Sequence, residues 1–91
     1  MIAFEVHLNG EKLCTAGLGD LGVISAILGW RGKQPYKDGT VPEGAALDFS
    51  VRGLTNPAGE HVEWAHPQVH IHDEIRIRIV DVDQVDPPFK L

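Results

Sequence analysis

The sequence predicts an α+β fold in which one short helix packs on a mixed four- to five-stranded sheet, in the order strand, strand, helix, strand, short strand, strand. Three observations carry the prediction. Residues 2 to 8 and 75 to 79 alternate apolar and polar side chains, the period-two signature of a strand with one buried face. Asn9-Gly10 follows the first of these runs, and both residues tolerate the positive φ of a tight hairpin turn. Val23, Ile24, Ile27 and Leu28 then recur at helical spacing, with Trp30 extending the stripe. The 91 residues suffice for one core, read as a domain over residues 1–85 followed by a stiff C-terminal tail at 86–91.

Taken in order, Ile2, Phe4, Val6 and Leu8 face inward along the first strand, and Ala3, Glu5 and His7 face out. The return strand, EKLCTA, has two open registers. A two-residue turn pairs Leu13 with Val6. A bulged three-residue loop pairs Cys14 with Val6 instead, burying Cys14 and Ala16 and exposing Thr15. Asp20 suits the N-cap of a helix over residues 21 to 30, and Gly29 and Gly32 punctuate its end. Residues 31 to 45 hold three glycines and two prolines without periodicity, which predicts a loop. Leu47, Phe49 and Val51 then point inward, with Asp48, Ser50 and Arg52 outward. Asn56-Pro57-Ala58-Gly59 has the chemistry of a type I turn, and EHVEW is its short return strand. Pro67 breaks AHPQVHIH, in which Val69 and Ile71 point inward. In DEIRIRIVDV, Ile75, Ile77 and Ile79 face one side and Arg76 and Arg78 the other. Val80 and Val82 then change the phase, which predicts a bulge near residue 80.

Composition excludes several functions. A net charge of −5 with only eight basic residues argues against nucleic acid, whose phosphates require clustered Lys and Arg. The longest apolar stretch, LGVISAILGW, is ten residues, about half of what a membrane-spanning helix needs, so no membrane partner is expected. Glu5 comes early and no basic stretch opens the chain, unlike a secretory leader. The single cysteine, Cys14, allows no intramolecular disulfide, and a soluble, cytoplasmic protein is expected. GLGDLG, residues 17 to 22, fits the G-x-G-x-x-G spacing of dinucleotide sites. That fingerprint, however, works through a parallel βαβ unit that aims a helix N-terminus at a pyrophosphate. Here an antiparallel hairpin precedes it and a fifteen-residue loop follows the helix. The glycines are read as a bend, and no cofactor is expected.

Hairpin, helix and further strands is the order of the ubiquitin-like β-grasp proteins, and MIAFEVHLNGEKL resembles their first hairpin. WAHPQVHIHDEIRIRIVDV is similar to the last segment of the small sulfur carriers of thiamine and molybdopterin synthesis, through Trp64, Val69, Ile71, Asp73, Glu74 and Ile75. The resemblance implies a β-grasp-like sheet with its first and last strands parallel at the centre and the helix across one face. Sulfur carriers act through a C-terminal Gly-Gly, whereas this sequence ends Asp86-Pro87-Pro88-Phe89-Lys90-Leu91. No functional residue of that family carries over.

Three sets of residues are candidates for function. Glu5 and His7 are expected beside Arg76 and Arg78 on the polar sheet face. Arg31, Lys33, Tyr36 and Lys37 mix basic and aromatic groups in one loop, a composition suited to protein contacts. His66, His70, His72 and Asp73 are donors of the types that bind a divalent metal, but their spacing matches no fixed metal motif, and the simpler reading is that Val69 and Ile71 point inward and the histidines point to water. Five acids, Asp73, Glu74, Asp81, Asp83 and Asp86, crowd the last fifth of the chain, either as a solvated face or as a patch for a basic protein. No nucleophile, base and acid stand in a recognisable catalytic frame, so no enzyme is expected; Cys14 reads as a small core hydrophobe. The function predicted is a non-catalytic protein-binding module, with a basic protein as one version of the partner and a homo-oligomer through an edge strand as another. The alternatives are a metal-binding or enzyme-accessory subunit using the 66–73 histidines, and a degenerate sulfur-carrier relative.

Overall fold

A computed structural model describes residues 1–32, 37 and 46–91. Seven strands make two sheets: β1 (Ile2–Leu8), β2 (Glu11–Ala16), β3 (Gly22–Arg31), β4 (Ala46–Thr55), β5 (His61–Ala65), β6 (Ile75–Asp81) and β7 (Phe89–Lys90). The three-stranded sheet has the order β2-β1-β6 and the four-stranded sheet the order β3-β4-β5-β7, with every pairing antiparallel.

No helix occurs among the described residues. The expected α+β, β-grasp-like class, a helix on a mixed sheet, is therefore corrected to an all-β arrangement. Residues 21 to 30 are where the expectation fails. The apolar run there supports two periods: Val23, Ile24, Ile27 and Leu28 at helical spacing, and Ile24, Ala26, Leu28 and Trp30 at strand spacing. Three β-branched residues favour the strand, and Gly22 and Gly29 each weaken a helix by about 1 kcal/mol relative to Ala. A ten-residue helix is also marginal alone, whereas β3 gains an unbroken register with β4 from Gly22↔Thr55 to Arg31↔Ala46. GLGDLG is the crossing from one sheet to the other, with Gly19 at φ 70° and Gly22 at φ 152°.

The first and last long strands do lie side by side, but antiparallel rather than parallel: Leu8 faces Ile75 and Ile2 faces Asp81. Side-chain alternation carries no strand direction, so the direction fails; the faces hold only in part, since Ala3, expected outward, is buried and Ile2, expected inward, is exposed. The register runs without a shift to Asp81, and the bulge expected near residue 80 is absent. In the first hairpin the two registers weighed from sequence are combined. The turn is two residues long, Leu8↔Glu11 and His7↔Lys12, and a bulge at Leu13 then brings Cys14 opposite Val6. Between β4 and β5, the Gly59 amide donates to Thr55 O, so the turn closes one residue earlier than the expected 56–59 unit.

The core draws Val6, Cys14 and Ala16 from one sheet, Phe49, Val51, Val62 and Trp64 from the other, and Val69 from the connection between β5 and β6. Phe4, Leu8, Leu13, Leu18, Ile24 and Ile75 pack around it. Other residues expected inward are not covered: Ile2, Ile71, Ile77 and Ile79 are exposed. Gly53 of β4 leaves space for the Trp64 ring, since a Cβ there would sit 2.9 Å from Trp64 Cζ3 and 2.8 Å from Val23 O.

Residues 86–91, read from sequence as a stiff tail, contribute β7 against β5, and Asp86 joins the two sheets. Its Oδ2 accepts from Thr15 N at 2.8 Å and its N donates to Thr15 O at 2.9 Å. Its own O accepts from Trp64 Nε1 at 2.8 Å. Thr15, expected outside, is consequently buried. Asp86→Ala leaves the Thr15 amide without its carboxylate, and should lower stability by about 1–2 kcal/mol in urea denaturation, with Asp86→Asn losing less.

Candidate functional site

The sheets have four edges, and three are guarded. The β2 edge is occupied at Thr15 by Asp86. The β6 edge carries Arg76 and Arg78, and charge on an edge discourages further pairing. The β7 edge is two residues long. β3 is different. It is ten residues long, pairs among the described residues with β4 alone, and holds no proline and no charge before its last residue, Arg31. Its backbone donors and acceptors on the side away from β4 have no strand partner among the described residues.

The side chains along this edge are apolar on both faces. Ile24, Ala26, Leu28 and Trp30 share the face of Phe49 and Val51, while Val23 and Ile27 share the opposite one. Ile24 and Ala26 reach the core, but Val23, Ile27, Leu28 and Trp30 are 57% to 71% exposed. Leu28 and Trp30 lie opposite Phe49 and Leu47 at the end of the hairpin that the other sheet does not cover. There Trp30, Leu47, Val69, His70 and Ile71 line an open, mainly apolar groove of about 510 Å³. Sequence reasoning missed this edge because it assigned the segment to a helix; the strand-spaced apolar residues from Ile24 to Trp30 were the available signal.

The polar face expected from Glu5, His7, Arg76 and Arg78 is brought together as pairs Glu5↔Arg78 and His7↔Arg76. Arg78 Nη1 lies 3.4 Å from Glu5 Oε1, and His7 Nε2 lies 4.0 Å from the same oxygen. Among the described residues, His7 Nδ1 is the buried side-chain polar atom without a partner. His7, Gly10, Glu74 and Arg76 line a small cavity of about 220 Å³. Of the loop candidates, Arg31 ends β3 and is exposed, as is Lys37, whereas Lys33 and Tyr36 lie outside the described residues.

Of the candidate metal donors, His70 and Asp73 are brought together, with His70 Nδ1 3.6 Å from Asp73 Oδ2, whereas His66 is engaged by Asp48. His66 Nε2 sits 2.6 Å from Asp48 Oδ1, in a cluster where Arg52 Nε donates to Glu63 Oε1 at 3.0 Å. Asp73 serves the backbone: Oδ1 accepts from Asn9 Nδ2 at 2.9 Å and Oδ2 from His70 N at 2.7 Å. His72 is exposed in a turn at φ 75°. Among the described residues, no group of three or more His, Cys, Asp or Glu is placed to hold a metal. The acids of the last fifth are likewise engaged: Asp81 lies 3.0 Å from the Met1 ammonium, and Asp86 and Asp73 bind backbone amides. Glu74 Oε1 lies 4.0 Å from Arg76 Nη2, and the carboxylates that accept from amides keep their negative charge.

Two titrations follow from these contacts. Burial, and then the Asp86 carboxylate, push the Cys14 thiol up to about 11. A group protonated in the fold stabilises it until the unfolded thiol ionises, so this contribution declines as pH rises from about 8.5, where a free thiol titrates, towards that value. At pH 8 a thiol reagent should label native Cys14 about 10²-fold more slowly than the urea-unfolded chain. The Asn9 side chain, and then the His70 amide, hold Asp73 below the usual carboxylate range. Its stabilising effect is present above about pH 3.9 and is lost as pH falls through the lower folded value. The His70 amide-proton shift should titrate below that point, and Asp73→Asn should abolish the titration.

Comparison with known protein families, with curated proteins and with solved structures finds no match for this chain.

Proposed function

We propose that this protein is a non-catalytic protein-binding module that pairs the open edge of β3 with a strand from another polypeptide. The supporting observation is the contrast among edges. β2, β6 and β7 each carry a device that discourages pairing, while β3 is a ten-residue strand paired with β4 on one side, so that alternate residues turn their backbone groups towards the free side, flanked by exposed Val23, Ile27, Leu28 and Trp30. Main-chain hydrogen bonds along such an edge supply affinity, and alternate side chains on each face supply specificity. Cys14, the single thiol of the sequence, is buried and its thiol is pushed up to about 11, which does not favour its use as a nucleophile.

The test is site-specific crosslinking. A benzophenone amino acid placed at Ile27 should yield a covalent adduct with a polypeptide when the protein is activated in its native cells. The same group at Glu60, exposed in the β4–β5 turn, should yield none. Equal adducts at both positions, or none at Ile27, would remove the basis for this reading.

A further inference from the structure

We infer that the strand added to β3 is β3 of a second copy, so that two chains join their four-stranded sheets edge to edge about a two-fold axis. This rests on the reading of β3 as a pairing edge and names its occupant.

The first argument is charge. Each copy carries a formal net charge of −5, so two copies repel over most of their surfaces. β3 is the exception: from Gly22 to Trp30 it bears no ionisable side chain, and Arg31 is its single charge. A strongly basic or acidic partner would find no complementary charge along it, while an identical strand meets no repulsion.

The second argument is self-complementarity. In an antiparallel pair about a two-fold axis normal to the sheet, facing residues lie on the same face of both copies. An axis through Ala26 sets Ile24 against Leu28, Ser25 against Ile27 and Gly22 against Trp30 of the other copy. Each apolar side chain thus meets an apolar or small neighbour, and the bulky indole faces a glycine. The strand has no bulge to interrupt the new ladder, since its register with β4 is continuous over all ten residues.

The third argument is the chemistry of the surface covered. Val23, Ile27, Leu28 and Trp30 are exposed together along the edge, and an added strand covers their flanks. The patch is apolar at its centre, as homodimer interfaces are.

Sedimentation equilibrium of the full chain tests the assignment. The wild type should fit a monomer–dimer equilibrium, the monomer having the sequence mass of 10.0 kDa, with dimer predominating at tens of micromolar. Ile27→Lys places a charge on the exposed face of β3 without reaching the core, and should weaken dimerisation by at least 10²-fold. Its far-UV circular dichroism and urea midpoint should match the wild type measured at dilution. Ile79→Lys, on the exposed end of β6, should dimerise as the wild type does. A wild type that stays monomeric throughout, or a dimer that survives Ile27→Lys and is lost in Ile79→Lys, overturns the inference. The crosslink at Ile27 separates that failure from failure of the wider reading: an adduct with a different polypeptide keeps β3 as a docking edge and rejects the second copy, whereas absence of any adduct rejects both.

Discussion

Asp86 uses its carboxylate, its amide and its carbonyl on two different strands, and the association of the two sheets is organised around that residue. The carboxylate and amide complete the β2 edge at Thr15, while the carbonyl receives the indole N–H of Trp64. Trp64 is the largest side chain of the core, and its ring occupies the space above Gly53 that a Cβ would fill. A buried indole without an acceptor, and a buried Thr15 amide without one, would each oppose burial of the surfaces around them. One residue therefore removes two such obstacles at the place where β2 and β5 approach. Gly17 continues the same seam, because only a missing side chain leaves room for Val85 next to Ala3.

The position of this seam explains which strands are covered and which are not. The core closes over β1, β2, β4 and β5, the strands near Asp86 and Trp64. At the far side of each sheet the inward-register residues emerge into solvent. Ile77 and Ile79 on β6 are exposed although their cross-strand neighbours Val6 and Phe4 are buried or half-buried. Leu28 on β3 is exposed although Phe49 opposite it is buried. The two uncovered margins differ in chemistry. On β6 the outward face is occupied by Arg76 and Arg78, and on β3 the outward face offers Val23 and Ile27. The first is a margin that water and charge can finish; the second is not.

Most of the strand content was legible in the sequence, and what failed did so for identifiable reasons. The alternation of residues 2–8 and 75–79 fixes which side chains share a face, and so Glu5, His7, Arg76 and Arg78 were correctly grouped. Alternation is blind to direction, which is why the antiparallel pairing of β1 with β6 was not visible. The burial of Thr15 depends on Asp86, 71 positions away, and no local pattern reports it. The largest failure concerns residues 22–31, where apolar residues satisfied both periods. Pairing with β4 decides between them, and the partner begins only at Ala46. Because the proposed site lies on that strand, one ambiguous period concealed both the fold class and the open edge. The histidines illustrate the converse: His66, His70, His72 and Asp73 read as one donor set, but the fold brings only His70 and Asp73 into a pair, at 3.6 Å, and His66 turns to Asp48 instead.

A long apolar edge is costly to leave open. Unpaired strand edges template association with any chain that presents another, and natural sheets suppress them with charge, proline, bulges or brevity. This chain uses charge on β6, brevity on β7 and a side-chain cap on β2, so the means of suppression are available within the same molecule. Among the described residues none of these guards β3, and that contrast is the ground of the proposed pairing there. Mass action gives such pairing a further consequence. A partner that binds only the folded chain adds RT ln(1 + [L]/Kd) to its stability, about 2.7 kcal/mol at a hundredfold excess over Kd. For a chain whose core draws on few large side chains, Phe49 and Trp64 foremost, such a contribution is a considerable fraction of the ~5–15 kcal/mol that small domains possess. Under the proposed pairing, the β3 edge is also an element of the stability of the domain that presents it.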